Sequence, residues 1–224
     1  MTDLTAPQVV PNWIQGEDRL AISGRTLDKY DPATGRLLCR VARSDQSDVN
    51  DSVAAAKSVQ CAWAAETVAH RGEVLRATAM LMMQRRDEIA ALVSSETGKS
   101  RKDALGETGA AIEMGFFVAG EGRRFYGKTT TSGVPGRSAM IVRQPLWVAG
   151  LIIAANTPIA NVAWKVFPAL LCGNAAILKA SEDTPLSAWA FARLLEEAGA
   201  PSGVLQVVHG YGPEAGGPLV EHSD

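Results

Sequence analysis

The feature that most constrains the fold is an alternation of apolar and helical segments in the last third of the chain. Residues 146–153 form a continuous apolar run, which is typical of a strand covered on both faces of a sheet. Two helical segments, 158–171 and 185–198, separate this run from the apolar segments 175–178 and 204–208. A β-α-β-α-β order predicts a parallel sheet with right-handed crossovers.

Proline and glycine mark the ends of these helices. Pro158 occupies the first helical position, where its missing N–H costs nothing. Asp183 or Thr184 can cap the second helix, which Gly199 terminates, and Pro213 opens a short final helix.

Strands and turns are expected in the first forty residues, with strands at 9–10, 13–14 and 36–41. Apolar residues then recur at helical spacing from residue 44 onward, Gly98 ends one helix, and a long helix is expected over 102–125. The segment 129–137 contains mainly Thr, Ser, Gly and Pro and is interpreted as a crossover loop before a strand at 139–143.

Composition excludes several function classes. The chain has 22 Lys and Arg against 24 Asp and Glu, a net charge of -2, so there is no electrostatic reason to expect nucleic acid or an anionic membrane as a partner. The longest strictly apolar run, 146–155, is far shorter than the ~20 residues of a membrane-spanning helix. The N-terminus does not resemble a secretory signal.

The cysteines and histidines indicate neither a disulfide framework nor a metal site. The three cysteines are an odd number without a C-x-x-C pair, so we expect a reduced, cytoplasmic protein that binds no metal. Cys39, Cys61 and Cys172 are expected to be packed or inert rather than nucleophilic. The histidines, including His209, are expected to be solvated or capping residues.

Polar or glycine residues follow all three buried strands. Asn156 follows the first strand, residues 179–182 the second and residues 210–213 the third. Because parallel sheets bind ligands beyond the carboxyl ends of their strands, we expect these three loops to share one edge and to form a nucleotide site.

Lys179 and Glu182 are suited to bind the hydroxyl groups of a ribose. A carboxylate accepts a hydrogen bond from a free 2′-hydroxyl and repels a 2′-phosphate, so Glu182 favours NAD over NADP. The alternative is a lysine that reaches solvent beside a solvated glutamate. The pattern Gly210-x-Gly212-x-x-Ala215 fits the dinucleotide fingerprint, but an acidic residue ~20 positions later is missing, and a tight turn explains it equally well.

Asn156 is the candidate catalytic residue. If Thr157 caps the following helix, the Asn156 amide is free to donate to a developing oxyanion, a contact worth ~3 kcal/mol. The alternative is that Asn156 is itself the cap.

Several separate motifs occur in a fixed order along the chain. They are Asp-Pro-Ala-Thr-Gly at 31–35, Glu-Thr-Gly-Lys at 96–99, Ala-Gly-Glu at 119–121, the run 148–158, Ala-Trp-Lys at 163–165, Gly-Asn at 173–174, Leu-Lys-Ala-Ser-Glu-Asp-Thr-Pro-Leu at 178–186, and 203–208. Together they resemble the NAD(P)-dependent aldehyde dehydrogenase superfamily from about residue 13 to the end.

The resemblance implies a Rossmann-like α/β parallel sheet of the aldehyde dehydrogenase type, incomplete and preceded by an N-terminal strand and helical segment. It also implies that Asn156 donates its amide to the thiohemiacetal oxyanion. The implied cofactor-binding residues, for NAD or alternatively NADP, are Ile152, Ile153, Ala155, Lys179, Ser181, Glu182 and Gly212.

The resemblance further divides the chain into the first part of a cofactor domain (1–127), an arm that pairs subunits (128–145) and the core of that domain (146–224). It implies a homo-oligomer in the full-length form and a small-molecule aldehyde as substrate. The family's Pro-Trp-Asn-Phe-Pro is Ala-Ala-Asn-Thr-Pro here, so a wider tunnel is expected and no particular aldehyde is carried over.

The implied function is NAD-dependent oxidation of an aldehyde to a carboxylic acid through a thiohemiacetal. Because the chain ends about halfway through a family member, the nucleophilic cysteine and general-base glutamate are expected beyond Asp224, and the chain alone is expected to be inactive. The alternatives are a non-catalytic nucleotide-binding or subunit-docking module, and a phosphate-releasing or acyl-CoA-forming reductase.

Overall fold

The main sheet is the centre of the computed structural model, which describes residues 3–224. Its strand order is β3-β2-β10-β9-β8. The strands are β2 (Asn12–Ile14), β3 (Glu17–Arg19), β8 (Val148–Ile152), β9 (Ala175–Lys179) and β10 (Leu205–Val208). Strands β8, β9 and β10 are mutually parallel, whereas β2 runs antiparallel to β10. The predicted parallel sheet is confirmed.

Helices cover both faces of this sheet. On one face lie the crossover helices α5 (Pro158–Leu171) and α6 (Pro185–Glu197), each with proline at its start as predicted. On the other face, α1 (Gln46–Ala65) and α7 (Gly217–Glu221) pack against β9 and β10 around an apolar cluster. Burial of apolar side chains on both faces is the main term that stabilises a sheet of this type.

The strand β8 lies at the edge of the sheet, which corrects one expectation. The run 146–153 was expected to be covered on both faces, but the side chains of β8 are only partly buried, and Leu146 is 82% exposed. Among the described residues, β8 pairs only with β9. A continuous apolar run does not distinguish an edge strand from a central one, because both carry the same residue types.

A helical layer packs on the outside of α5 and α6. It consists of α2 (Val68–Gln84), α3 (Arg86–Thr97) and α4 (Arg101–Glu121). Gly98 ends α3 with φ of 73°, as predicted. The helix α4 ends four residues earlier than expected, since the chain turns at Gly122, whose backbone lies against that of α2.

Two smaller sheets complete the structure. The first has the order β1-β5-β4, with β1 (Val9–Val10), β4 (Thr26–Tyr30) and β5 (Leu37–Ala42). The second is a hairpin of β6 (Lys128–Thr131) and β7 (Ser138–Ile141), both exposed throughout. The segment expected to be a crossover loop thus contributes β6 and the turn of a hairpin, because its threonines are β-branched and favour extended backbone.

Within residues 3–224, no helix combines the length and the apolar character needed to cross a membrane.

Candidate active site

Parallel pairing brings the three predicted loops to one edge of the main sheet. Ile152 pairs with Lys179, and Lys179 pairs with Val208, so the three strands end at the same level. The backbone N–H of Ile153 also donates to the carbonyl of Lys179, at 3.3 Å. The loop containing Asn156 therefore lies beside the 179–182 loop, as the topology predicts.

Lys179 and Glu182 form an ion pair at this edge. The Lys179 ammonium is 2.9 Å from Oε2 of Glu182, and Lys179 is only 3% exposed. The alternative in which the lysine reaches solvent is therefore wrong. The side chain of Lys179 lies beside Gly216, on the same face as the half-exposed Ile152.

The Glu182 carboxylate is partly exposed and carries a negative charge at neutral pH. Burial raises its pKa, but its own backbone N–H, the Lys179 ammonium and the backbone N–H of Gly212 lower it further, and the net shift is downward. Three donors thus converge on one carboxylate, whose side chain is still one third exposed to solvent.

The turn after β10 is tied to the N-terminal part of the chain. It forms a short π-helix, Gly212–Gly216, that leads into α7 where a short helix was expected. Glu214 accepts two hydrogen bonds from the guanidinium of Arg43, at 2.5 and 2.8 Å, and that guanidinium also stacks on the Tyr211 ring. These contacts fix the position of Gly212 beside Glu182.

Asn156 is exposed and does not cap the helix that follows it. Its Oδ1 accepts a hydrogen bond from Nδ2 of Asn161, at 3.2 Å. Its own Nδ2 donates to no group in the part of the chain that the structure describes. Thr157 occupies the N-cap position but makes no side-chain cap. Both capping alternatives are therefore wrong, and the Asn156 amide is free to donate to a ligand.

Two buried glutamates cap α5 and α6 instead, and neither was expected from the sequence. Glu107 of α4 accepts from the backbone N–H groups of Ile159 (3.0 Å) and Ala160 (3.4 Å). Glu96 of α3 accepts from the backbone N–H groups of Leu186 (2.7 Å) and Ser187 (3.2 Å) and from the Ser187 hydroxyl. Neither Asp183 nor Thr184 caps α6 through its side chain.

Lys99 joins one of these caps to the candidate catalytic residue. Its ammonium is 2.5 Å from Oε2 of Glu107 and 2.5 Å from the backbone carbonyl oxygen of Asn156. The Glu-Thr-Gly-Lys segment at 96–99, which contains both Glu96 and Lys99, was the available sequence signal for these residues. Nothing in the local sequence indicates that Glu96 contacts α6 or that Lys99 contacts Glu107.

His209 is buried, which overturns the expectation that it is solvated or capping. It follows β10 directly and is 1% exposed, and neither ring nitrogen has a hydrogen-bond partner among the described residues. Burial, and then the positive charge of Lys179, lowers the pKa of His209 to about 3. The imidazole is therefore neutral at physiological pH.

None of the cysteines lies at this edge. Burial raises the pKa of Cys39 to about 11, so its thiolate is scarce at neutral pH. Burial also raises the pKa of Cys172, which follows the last residue of α5, about 20 Å from the Asn156 end of that helix. Cys61 is exposed on α1. The expectation that the cysteines are not nucleophiles at this site agrees with these positions.

Comparison with known proteins identifies the family. The model of the aldehyde dehydrogenase family matches residues 20–224. The chain belongs to the aldehyde dehydrogenase family. One curated relative is the 3,6-anhydro-alpha-L-galactose dehydrogenase of Streptomyces coelicolor, which is 41% identical to this chain. The alignment covers 94% of this chain and 42% of that relative.

Solved structures of the family share the fold. The crystal structure of PnpE in complex with nicotinamide adenine dinucleotide superimposes with a TM-score of 0.93, at 34% identity, over 96% of this chain and 44% of PnpE. An NADP-dependent enzyme of E. coli gives a TM-score of 0.93 at 33% identity over 95% of this chain and 44% of its own. The chain thus spans less than half the length of the curated relatives and structures it matches.

Proposed function

We propose that this chain provides the oxyanion-binding amide and part of the adenosine site for the NAD-dependent oxidation of an aldehyde to a carboxylic acid through a thiohemiacetal. The observation that carries the proposal is the convergence of the Asn156 amide, the Lys179–Glu182 pair and the Gly212 turn at one edge of a parallel sheet. Ligands of such sheets bind at this edge.

The residues present fit the adenosine part of NAD. The Glu182 carboxylate accepts a hydrogen bond from a ribose hydroxyl, while Lys179 holds that carboxylate in place and Ser181 lies between them in the same loop. Ile152 is the last residue of the edge strand, and Ile153 and Ala155 follow it. Gly212 presents open backbone, since a side chain there would meet nothing within 4 Å. Bound NAD would supply the hydride acceptor.

The chemistry at the aldehyde carbonyl requires an oxyanion donor, and Asn156 is suited to it. Its Nδ2 group is exposed and lacks an internal partner among the described residues, so it can donate to the negative oxygen that forms when a thiolate adds to a carbonyl. We propose that the thiolate and the general base are supplied by residues outside this chain, because the three cysteines lie elsewhere and Glu96 and Glu107 are occupied as helix caps.

The proposed substrate is a small-molecule aldehyde whose structure is left open. Ala155 and Thr157 flank Asn156 where the resemblance would place aromatic side chains. Small side chains beside the amide leave room for a bulky or polar aldehyde.

The domain division and the assembly are also proposals. We assign 1–127 and 146–224 to the cofactor domain and 128–145 to an arm that pairs subunits into a homo-oligomer. The hairpin in this arm exposes Met140 and Ile141, which supports a role in association. We place the protein in the cytoplasm, because its cysteines are free.

Calorimetric titration of the chain with NAD and with NADP tests the proposal. NAD is expected to bind more tightly than NADP. The variant Glu182→Gln removes the repulsion of a 2′-phosphate, so the preference should fall about tenfold, the equivalent of one charged hydrogen bond. Glu113→Gln, at an exposed position on α4, is the matched control. Equal binding of both nucleotides, or an unchanged preference in Glu182→Gln, would contradict the proposal.

A non-catalytic docking module is the second candidate. It is favoured by the exposed edge strand β8 and the exposed hairpin, which offer unpaired backbone groups and apolar side chains. Size-exclusion chromatography combined with the NAD titration distinguishes the two candidates: a chain that self-associates and binds no NAD supports docking alone.

A further inference from the structure

We propose that Lys99 and Glu107 act together as positioning residues that hold the Asn156 amide at the edge of the sheet. The inference rests on the proposed oxyanion role of Asn156. It concerns side chains that contact neither the aldehyde nor the nucleotide in that proposal. Glu107 lies on α4, and Lys99 lies in the turn between α3 and α4.

The Lys99 ammonium is the connection between the two layers. It lies 2.5 Å from a carboxylate oxygen of Glu107 and 2.5 Å from the backbone carbonyl oxygen of Asn156. An ammonium has three donors, and charge-assisted hydrogen bonds are roughly twice as strong as neutral ones. The carbonyl of Asn156 is thereby held by a charged group from another part of the chain.

Glu107 holds the residues on the other side of Asn156. One of its oxygens accepts from the first free N–H groups of α5, at Ile159 and Ala160, and the other accepts from Lys99. Its side chain is only 5% exposed, each of its oxygens is paired, and it lies at a helix N-terminus, which carries a partial positive charge. The Lys99–Glu107 ion pair therefore fixes the chain at two points, the backbone carbonyl of residue 156 and the backbone N–H groups of residues 159–160.

The orientation of the Asn156 side chain depends on the backbone that this ion pair fixes. Among residues 3–224, the 3.2 Å hydrogen bond from Asn161 is the only one that this side chain makes, and the residue is exposed. A side chain with one weak contact points where its backbone directs it. If the carbonyl of Asn156 were released, the peptide could rotate and the amide would no longer face a fixed point.

Nuclear magnetic resonance of the ¹⁵N-labelled chain tests the inference without any enzymatic assay. The two Nδ2–H signals of Asn156, assigned from their loss in Asn156→Asp, report the surroundings of that amide. In Lys99→Met they should converge towards the positions typical of a freely rotating asparagine, and the amide protons of Ile159 and Ala160 should exchange about tenfold faster, the equivalent of one hydrogen bond. Lys102→Met, at an exposed position of α4, is the matched control and should leave both unchanged.

Three outcomes would overturn the inference: unchanged Asn156 signals in a folded Lys99→Met, equal changes in Lys102→Met, or changes spread evenly over the whole spectrum, which would indicate general loosening. If Lys99→Met does not fold, Glu107→Gln gives the same readout, because it retains the volume and one acceptor oxygen but loses the charge that holds Lys99.

A titration with NAD in the same spectra separates this inference from the proposed function. Lys99→Met should bind NAD as the unsubstituted chain does, because Lys99 does not contact the Lys179–Glu182 pair. If the unsubstituted chain fails to bind NAD, the proposed function is wrong, yet the Asn156 signals still decide whether Lys99 positions that amide.

Discussion

The buried carboxyl group of Glu96 should make the stability of this protein depend on pH in an unusual direction. Burial raises the pKa of Glu96 to about 7 from the ordinary 4.5, even though Ser187, the backbone N–H groups of the α6 N-terminus and the charge of Lys29 lower it. An acid with a raised pKa in the folded state binds its proton more tightly when folded. Its contribution to stability is complete below pH 4.5 and is lost as the pH rises through 7.

The size of the effect follows from the two pKa values. A difference of about 2.5 units at 1.36 kcal/mol per unit corresponds to a loss of about 3 kcal/mol between pH 4.5 and pH 7. That is a large part of the 5–15 kcal/mol typical of a folded domain.

His209 acts in the opposite direction over an overlapping interval. Its pKa is lowered from 6.5 to about 3, so its contribution to stability is complete above pH 6.5 and is lost as the pH falls. Between pH 4.5 and 6.5 the two contributions cancel in the total. The effect of Glu96 must therefore be measured as a difference between two variants.

Urea unfolding at several pH values between 4.5 and 8 provides the assay. The free energy of unfolding of the unsubstituted chain, minus that of Glu96→Gln, should fall by about 3 kcal/mol across the interval and then level off. The exposed Glu113→Gln serves as control and should follow the unsubstituted chain. A difference curve that is flat, or that rises with pH, would refute the reasoning.

Three further predictions concern packing at two glycines, the burial of His209 and the activity of the purified chain. Gly115→Ala places a Cβ 2.8 Å from both Ala79 and Phe167 and should destabilise the fold by about 1–3 kcal/mol. Gly106→Ala on the same helix meets nothing within 4 Å and should stabilise the fold slightly. Urea unfolding measures both changes. His209→Leu should flatten the loss of stability between pH 6.5 and 3; an unchanged acid limb would show that the imidazole is not buried in its neutral form. The purified chain should form no NADH from NAD and a panel of aldehydes, and turnover that requires Cys61 would contradict the proposed external nucleophile.

The sheet and its crossover helices were predictable because their signals are local. Apolar runs separated by helices that begin with Pro158 and Pro185 define a parallel β-α-β-α-β unit, and Gly98 and Gly199 end the helices that precede them, each with positive φ. The resemblance to aldehyde dehydrogenases added the family, which the comparison confirms. Local pattern alone did not reveal that β8 is an edge strand, because strand order depends on the whole sheet.

The contacts that organise the candidate site were not predictable, because their partners are far apart in sequence. Glu107 caps a helix 52 residues later, and Glu96 caps another 90 residues later. Local rules instead favour Thr157 and Thr184, which occupy the cap positions without making side-chain caps. Burial of His209 was missed for the same reason, since its backbone is bonded to Asn12 and Ser44, which are far away in sequence.

The most direct test of the central claim is to locate NAD on the chain by intermolecular nuclear Overhauser effects. We expect contacts from the adenosine ribose protons to Ile152 and to Gly212, beside the Lys179–Glu182 pair. Contacts confined to another cavity, such as the groove between α2 and α4 lined by Arg76 and Arg123, would contradict it.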